Sequence, residues 1–191
     1  MTYEIENIFS TPLYVSDVNH FDLIQQEIKE SIDFVNFQMK GEWETHYLSD
    51  VTFEKNIIED LNLHYLKDEL DMHVRNYCRS INFEYKSYTM DSWISLFKPG
   101  NYGHLHSHGD SDISGCYYYK SNGNDGDLFF ETPVPHMTSS HCFYDNYSKQ
   151  WDHKPREGKI LIFPGWLRHG IKLNKTDTDR ISISFNINFN R

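Results

Sequence analysis

A chain of 191 residues with 38% hydrophobic and 16% aromatic side chains is sized for one domain with a substantial core. Its formal net charge of −10, from 28 acidic against 18 basic residues with no basic cluster, argues against nucleic acid or an anionic lipid surface as partner. The opening MTYEIENIFSTPLYVSD lacks a basic start followed by an apolar run, and no stretch of about 18 apolar residues occurs, so a cytoplasmic protein without a membrane span is expected.

In chain order, residues 19–35 carry Ile24, Ile28, Ile32 and Val35 at helical spacing. Residues 61–81 repeat the pattern with Leu63, Leu66, Leu70, Val74, Tyr77 and Ile81. Both predict amphipathic helices lying on something. From Phe83 onward short β-rich runs alternate with turn residues: YTMDSWISLF then KPGN, SGCYYY then KSNGNDG, DLFFE, KILIF then PG, and RISISFNINF. The reading is a mainly β protein with flanking N-terminal helices, one domain over 1–191. Residues 1–82 form a helical buttress plus an edge strand, and 83–191 a closed or double-layered β core. The longest irregular stretch, 132–156, reads as a binding loop or lid in which Phe143, Tyr144, Tyr147 and Trp151 supply aromatic anchors. A disordered insertion is the alternative. Cys78, Cys116 and Cys142 are odd in number and widely spaced, which predicts reduced, packed thiols.

The segment HLHSHGD places His104, His106, His108 and Asp110 at alternate positions, which in a strand share one face. Histidine is a common metal ligand, yet among 11 histidines a chance His-x-His pair is unremarkable, so the pattern needs support. His169 supplies it, following the strand Ile160–Phe163 and its Pro164–Gly165 turn. Two ligands from one strand and a third from another make a facial metal site with open positions, and three imidazoles suit Fe(II), Cu or Zn. In RISISFNINF, alternation sets Arg180, Ser182, Ser184, Asn186 and Asn188 on one face and Ile181, Ile183, Phe185, Ile187 and Phe189 on the other. The polar side is either a solvated outer face or a cavity wall where guanidinium and hydroxyl grip a small carboxylate.

The stretches SWISLFKPGNYGHLHSHGDSDISGCYYY, EGKILIFPGWLRH and RISISFN, with a weaker match at IFSTPLY, resemble the 2-oxoglutarate- and Fe(II)-dependent oxygenases, in particular members from marine bacteria and their phages. The resemblance implies a double-stranded β-helix, a jelly-roll and cupin-like core. It implies an Fe(II) site at His106, His108 and His169, with Ser114–Gly115 anchoring the register and His104 outside the motif. The wider superfamily has a carboxylate in the slot of His108. Asp110 is the alternative second ligand, although Gly109 is expected to break the strand before it. The resemblance further implies that Arg180 pairs with the distal carboxylate of 2-oxoglutarate and Ser182 hydrogen-bonds it. Tyr118, on the face of Ser114 and Cys116, is the third candidate for that carboxylate, while Tyr117 and Tyr119 should point the other way. No catalytic side chain beyond the metal ligands is expected, and the activity implied is hydroxylation of a small molecule or a protein side chain. A cupin reading uses Gly100, His106, His108, Gly158, Pro164 and His169, with Asp112 in the place of the cupin glutamate and Trp166 where glycine is preferred, and leaves Arg180 without a role. A non-catalytic binding module on the same fold is the third reading.

Overall fold

The computed structural model describes residues 4, 10–39, 44–50, 52, 55–134 and 150–190. Two sheets face each other. The major sheet has six strands in the order β1 (Tyr14–Asp17), β8 (Lys159–Pro164), β5 (Ile113–Lys120), β10 (Arg180–Asn190), β3 (Ser87–Phe97) and β2 (Tyr47–Leu48). The minor sheet has four, in the order β4 (Gly103–His106), β9 (His169–Ile171), β6 (Leu128–Glu131) and β7 (Gln150–His153). All strand pairs are antiparallel, and β3, β5 and β10 form the long central wall.

The helices cover the outer face of the major sheet. Helix α1 (Phe21–Ser31) buries Ile24 and Ile28, and α3 (His64–Ser80) buries Leu66, Leu70, Val74 and Tyr77. A short α2 (Ile57–Asp60), unmarked by any clear periodicity, precedes α3. These apolar stripes meet Ile94, Tyr117, Ile183, Phe185 and Ile187 from the sheet in one core. Each such side chain, moved from water, contributes up to about 1.5–3 kcal/mol. Periodicity over 19–35 predicts one continuous helix, but α1 stops at Ser31 and a 3-10 turn, Ile32–Phe34, follows, with Ile32 and Val35 still packed against the core.

Neither long helix is capped by its own side chains; each is capped by the other. Glu27 of α1 accepts the Tyr65 and Leu66 amides at 3.0 and 2.7 Å, in the first turn of α3. Glu69 of α3 accepts the Asn19 and His20 amides at 3.0 and 3.2 Å, just ahead of α1. Two carboxylates thus satisfy amides that helix geometry leaves without partners and oppose the positive ends of both dipoles. The exchange locks the two helices to each other as well as to the sheet.

Between the sheets the interior is divided. Cys116, Tyr118, Leu128, Phe130, Leu161, Phe163 and Leu167 fill one part with apolar packing. The remainder is a cavity in which histidine, serine and arginine side chains stand among apolar ones. The irregular stretch expected over 132–156 contains a strand after all: β7 pairs with β6 in register and carries Trp151, 66% exposed. Cys142, Phe143, Tyr144 and Tyr147 lie outside the described residues. Cys78 and Cys116 are free and buried, and burial pushes both thiols up to about 11.

Candidate active site

Strand β4 ends at His106, and β9 begins at His169 directly opposite it. His108 arrives from the loop beyond β4, so the uninterrupted strand that period-two reasoning assumed is not what gathers these residues. A bulge lies between Gly103 and His106, which resets the alternation and leaves His104 exposed. His108 is fixed by its backbone instead: its N–H donates to the Gly165 carbonyl at 2.8 Å, and the Gly165 N–H donates to the Asp112 carbonyl at 3.1 Å. Only glycine permits this clamp, because a Cβ on Gly165 would stand 2.1 Å from the Ser111 carbonyl oxygen. The Pro164–Gly165 turn therefore positions two histidines, His169 through the chain and His108 through the clamp.

The ligand-capable nitrogens of His106, His108 and His169 lie within 4.8 Å of one another. Their ring centroids are 4.5 to 5.2 Å apart. The Nδ1 atoms of His106 and His169 sit 2.7 and 2.8 Å from the carbonyls of His104 and Leu167. A carbonyl only accepts, so each Nδ1 carries the proton and each Nε2 presents a lone pair. Burial holds all three rings neutral: it lowers His106, takes His108 to about 4 with repulsion from His106 added, and lowers His169 far below the usual imidazole range. Neutral imidazoles are what a divalent cation requires, and His106 and His169 already turn their Nε2 lone pairs inward. Among the described residues no other three histidine, cysteine or carboxylate side chains come together in this way.

The wall opposite is the inner face of the major sheet, where Ser95, Ser182 and Tyr118 stand in one cross-strand row and Trp93, Ser184 and Cys116 in the next. Above them Arg180 pairs with Phe97. Arg180 is 0% exposed, and its guanidinium lies 5.1 Å from the centroids of both the Phe97 and Tyr118 rings. Nη1 donates to the Gly126 carbonyl at 3.2 Å, whereas Nε and Nη2 have no partner among the described residues, and the Tyr118 hydroxyl has only the weak partner of the Cys116 thiol. Burial raises the Tyr118 hydroxyl well above the usual phenol range, so it stays a neutral donor. A permanently charged, fully buried guanidinium with two idle N–H groups is costly unless an anion comes to it. Arg180 and Ser182 line the same cavity as the three histidines, a space of about 160 Å³, while Tyr118 lies behind them, its ring against the guanidinium.

Residues 91–186, half of the chain, match the sequence profile of a family described as "Putative 2OG-Fe(II) oxygenase". The chain belongs to this oxygenase family. Its reaction therefore depends on Fe(II) and 2-oxoglutarate. No curated protein matches the sequence. Among solved structures, the oxygenase is similar to a prolyl-4-hydroxylase from Pseudomonas putida, with 14% identity, a TM-score of 0.63 and coverage of 95% of this chain and 94% of that one. It is similar to HygX from Streptomyces hygroscopicus with nickel, 2-oxoglutarate and hygromycin B bound, at 11% identity and TM-score 0.64, covering 93% and 82%. It is also similar to SnoN, a non-heme alpha ketoglutarate dependent epimerase from nogalamycin biosynthesis, at 10% identity and TM-score 0.66, covering 94% and 78%. The shared fold is the double-stranded β-helix.

The oxygenase departs from the alternative assignments at definite residues. Asp110 is exposed and outside the histidine group. Asp112, which the cupin pattern would need as a ligand, spends its carboxylate on the Phe189 amide at 2.8 Å. Tyr117 packs into the helical core, as alternation requires. Three contributors had no sequence signal or only a partial one. His46, just before the two-residue β2, lines the cavity stacked on Phe97 at 4.3 Å, and burial with the nearby His106 and Arg180 takes it down to about 4. Gly126, the acceptor for Arg180, holds φ +106°, and a Cβ there would meet the Lys172 carbonyl oxygen at 2.3 Å. Asn186 belongs to the RISISFN run, but its contact with His108 at 3.1 Å arises only when β10 and the β4–β5 loop meet. Among the described residues no helix is long and apolar enough to cross a membrane.

Proposed function

We propose that this oxygenase is a hydroxylase in which His106, His108 and His169 hold the Fe(II), and Arg180, Ser182 and Tyr118 hold 2-oxoglutarate through its distal carboxylate. The observation that carries the reading is Arg180, a buried cation with two unpaired N–H groups in the same small cavity as three neutral imidazoles. The donor set fits both groups: lone pairs for a cation on one side, N–H and O–H donors for an anion on the other. When bound, Fe(II) supplies the redox chemistry in which dioxygen is divided between 2-oxoglutarate, which loses carbon dioxide to become succinate, and the substrate.

The rest is the work of the protein. Phe97 and Tyr118 flank the guanidinium and keep water from it, so its attraction for a carboxylate is not screened. The planar fork offers two parallel donors to the two carboxylate oxygens. Three neutral ligands leave a divalent site one unit more positive than a site with a carboxylate ligand, which favours a dianionic cosubstrate. A cavity of about 160 Å³ falls short of the roughly 300–1,000 Å³ of drug-sized ligand pockets and suits a small diacid. The substrate then approaches from the side where His106 and His108 are partly exposed, as a small molecule or a protein side chain. The prolyl-4-hydroxylase and the hygromycin-bound HygX support both possibilities. The test is an anaerobic calorimetric titration of 2-oxoglutarate into Mn(II)-loaded protein. Binding that requires the metal is expected, and no binding, or equal binding without metal, refutes the assignment.

A further inference from the structure

Two of the three histidines have their proton placement fixed by backbone carbonyls; the third does not. Nδ1 of His108 faces the side-chain amide of Asn186, whose Nδ2 is 3.1 Å away. The Asn186 Oδ1 in turn accepts the Ser114 hydroxyl at 2.7 Å. Asn186 and Ser114 are cross-strand partners on β10 and β5, so two central strands hold this amide in place. On the other side of the ring, His108 Nε2 is 3.2 Å from His106 Nε2. Because the His104 carbonyl obliges His106 to protonate Nδ1, His106 Nε2 is an acceptor, and the donor in that contact must be His108 Nε2–H.

The polarity is therefore consistent along the whole chain of contacts. Ser114 O–H donates to Asn186 Oδ1, Asn186 Nδ2–H donates to His108 Nδ1, His108 Nε2–H donates to His106 Nε2, and His106 Nδ1–H donates to the His104 carbonyl. In this arrangement His108 has no lone pair on Nε2 to give to a cation. It gains one only by carrying its proton on Nδ1, and the group facing Nδ1 must then accept. An amide can do so by turning over: Oδ1 receives His108 Nδ1–H, and Nδ2 donates to Ser114 Oγ, which as a hydroxyl accepts as readily as it donates. The ring stays neutral throughout, one N–H being exchanged for the other.

We propose that Asn186 is a positioning residue that selects the tautomer of His108, and that the chain from Ser114 to His106 reverses its hydrogen-bond direction when the site takes a divalent cation. The inference rests on His106, His108 and His169 being the metal ligands. A backbone carbonyl at this position would hold His108 ready permanently, as the carbonyls do for His106 and His169. The amide makes readiness conditional, so one ligand of three is supplied by a reversible element.

The test uses the full chain labelled with 15N at histidine, stripped of metal with a chelator and then titrated with Zn(II). Long-range 15N–1H correlation spectra distinguish Nε2–H from Nδ1–H. His108 should pass from Nε2–H to Nδ1–H on Zn(II) addition, while His106 and His169 show Nδ1–H before and after. In Asn186→Asp, whose carboxylate only accepts, His108 should show Nδ1–H before any metal is added. Asn186→Leu should bind Zn(II) about 10–100-fold more weakly by calorimetry, the range for loss of a group that orients a metal ligand. Ser114→Ala should weaken Zn(II) binding by less than Asn186→Leu does, because it acts through Asn186, and Ser114→Thr should restore it. Circular dichroism melts confirm folding of each variant. Nδ1–H on His108 in the stripped wild type, or wild-type affinity in Asn186→Leu, overturns the proposal while leaving the ligand assignment standing. Zn(II) binding that leaves the His108 resonances unmoved overturns the ligand assignment and the proposal together.

Discussion

Replacing Arg180 with methionine should produce a protein that is more stable than wild type alone and less stable in the presence of cosubstrate. Two guanidinium N–H groups lie buried without partners, and each such group costs about 1–3 kcal/mol. Methionine removes that cost and fills much of the volume. What it loses is the attraction of the cation for the Phe97 and Tyr118 rings, about 0.5–2 kcal/mol each, and the Nη1 hydrogen bond to the Gly126 carbonyl, about 1.5–3 kcal/mol, against which it also removes the several kcal/mol that desolvating a buried cation costs. The balance is a gain of about 1–2 kcal/mol, or roughly 2–8 °C in melting temperature for a chain of this size. Binding moves the other way. Loss of a desolvated guanidinium–carboxylate contact costs about 3–5 kcal/mol, two to nearly four orders of magnitude in affinity for 2-oxoglutarate. Cosubstrate at 100 times its Kd stabilises the wild type by about 2.7 kcal/mol and leaves the variant unmoved, so the order of the two melting temperatures inverts. The assays are anaerobic calorimetry on Mn(II)-loaded proteins and thermal melts with and without 2-oxoglutarate. An Arg180→Met protein that binds within tenfold of wild type, or melts several degrees below it without cosubstrate, refutes the reasoning.

Alanine at His106 or His169 should abolish binding of one divalent ion, whereas His104→Ala and Asp110→Ala should retain it, as read by Zn(II) calorimetry. Metal affinity should stay nearly level from pH 8 to about 6, because burial keeps the ligands neutral and places His108 at about 4; a tenfold fall between pH 7 and 6 in a Co(II) titration would contradict this. Stability should follow the same groups. With His46, His106, His108 and His169 all depressed in the folded protein, the unfolded chain takes up protons first, so stability is complete above about 6.5 and declines as pH falls toward about 4. Urea midpoints at pH 7 and pH 5 should differ accordingly, with a slope of at most about 1.4 kcal/mol per pH unit for each group, and His46→Phe should flatten it. Gly126→Ala should weaken 2-oxoglutarate binding about tenfold (roughly 1.4 kcal/mol) with metal affinity intact, because the displaced carbonyl is the one that aims Arg180.

What sequence could and could not reveal follows from the range of the forces involved. The two faces of β10 were legible, since alternation is a local property and the apolar side had to meet a core. Arg180 and the histidine pair stood out because their chemistry is unusual in such company. The reason His106 and His108 converge was not legible. It lies in a bulge and in the clamp at Gly165, and neither has a period. The same limit hid β7, whose four residues QWDH carry no clear alternation and become a strand by pairing with β6. His46 could not be assigned at all, because its place depends on a two-residue edge strand reached by tertiary contact.

The central strands make this protein two-sided in a way that bears on how it can evolve. On β10, Ile183, Phe185 and Ile187 pack with the helices, while Arg180, Ser182 and Ser184 line the cavity and Asn186 meets His108. Selection for abundance and selection for chemistry thus fall on alternate residues of a single strand. New substrates can be explored by changing one set while the other keeps the chain folded. A saturation library over 180–187 should show this as a stripe of period two, with variants at odd positions lost from the soluble fraction and variants at even positions present but altered in what they bind.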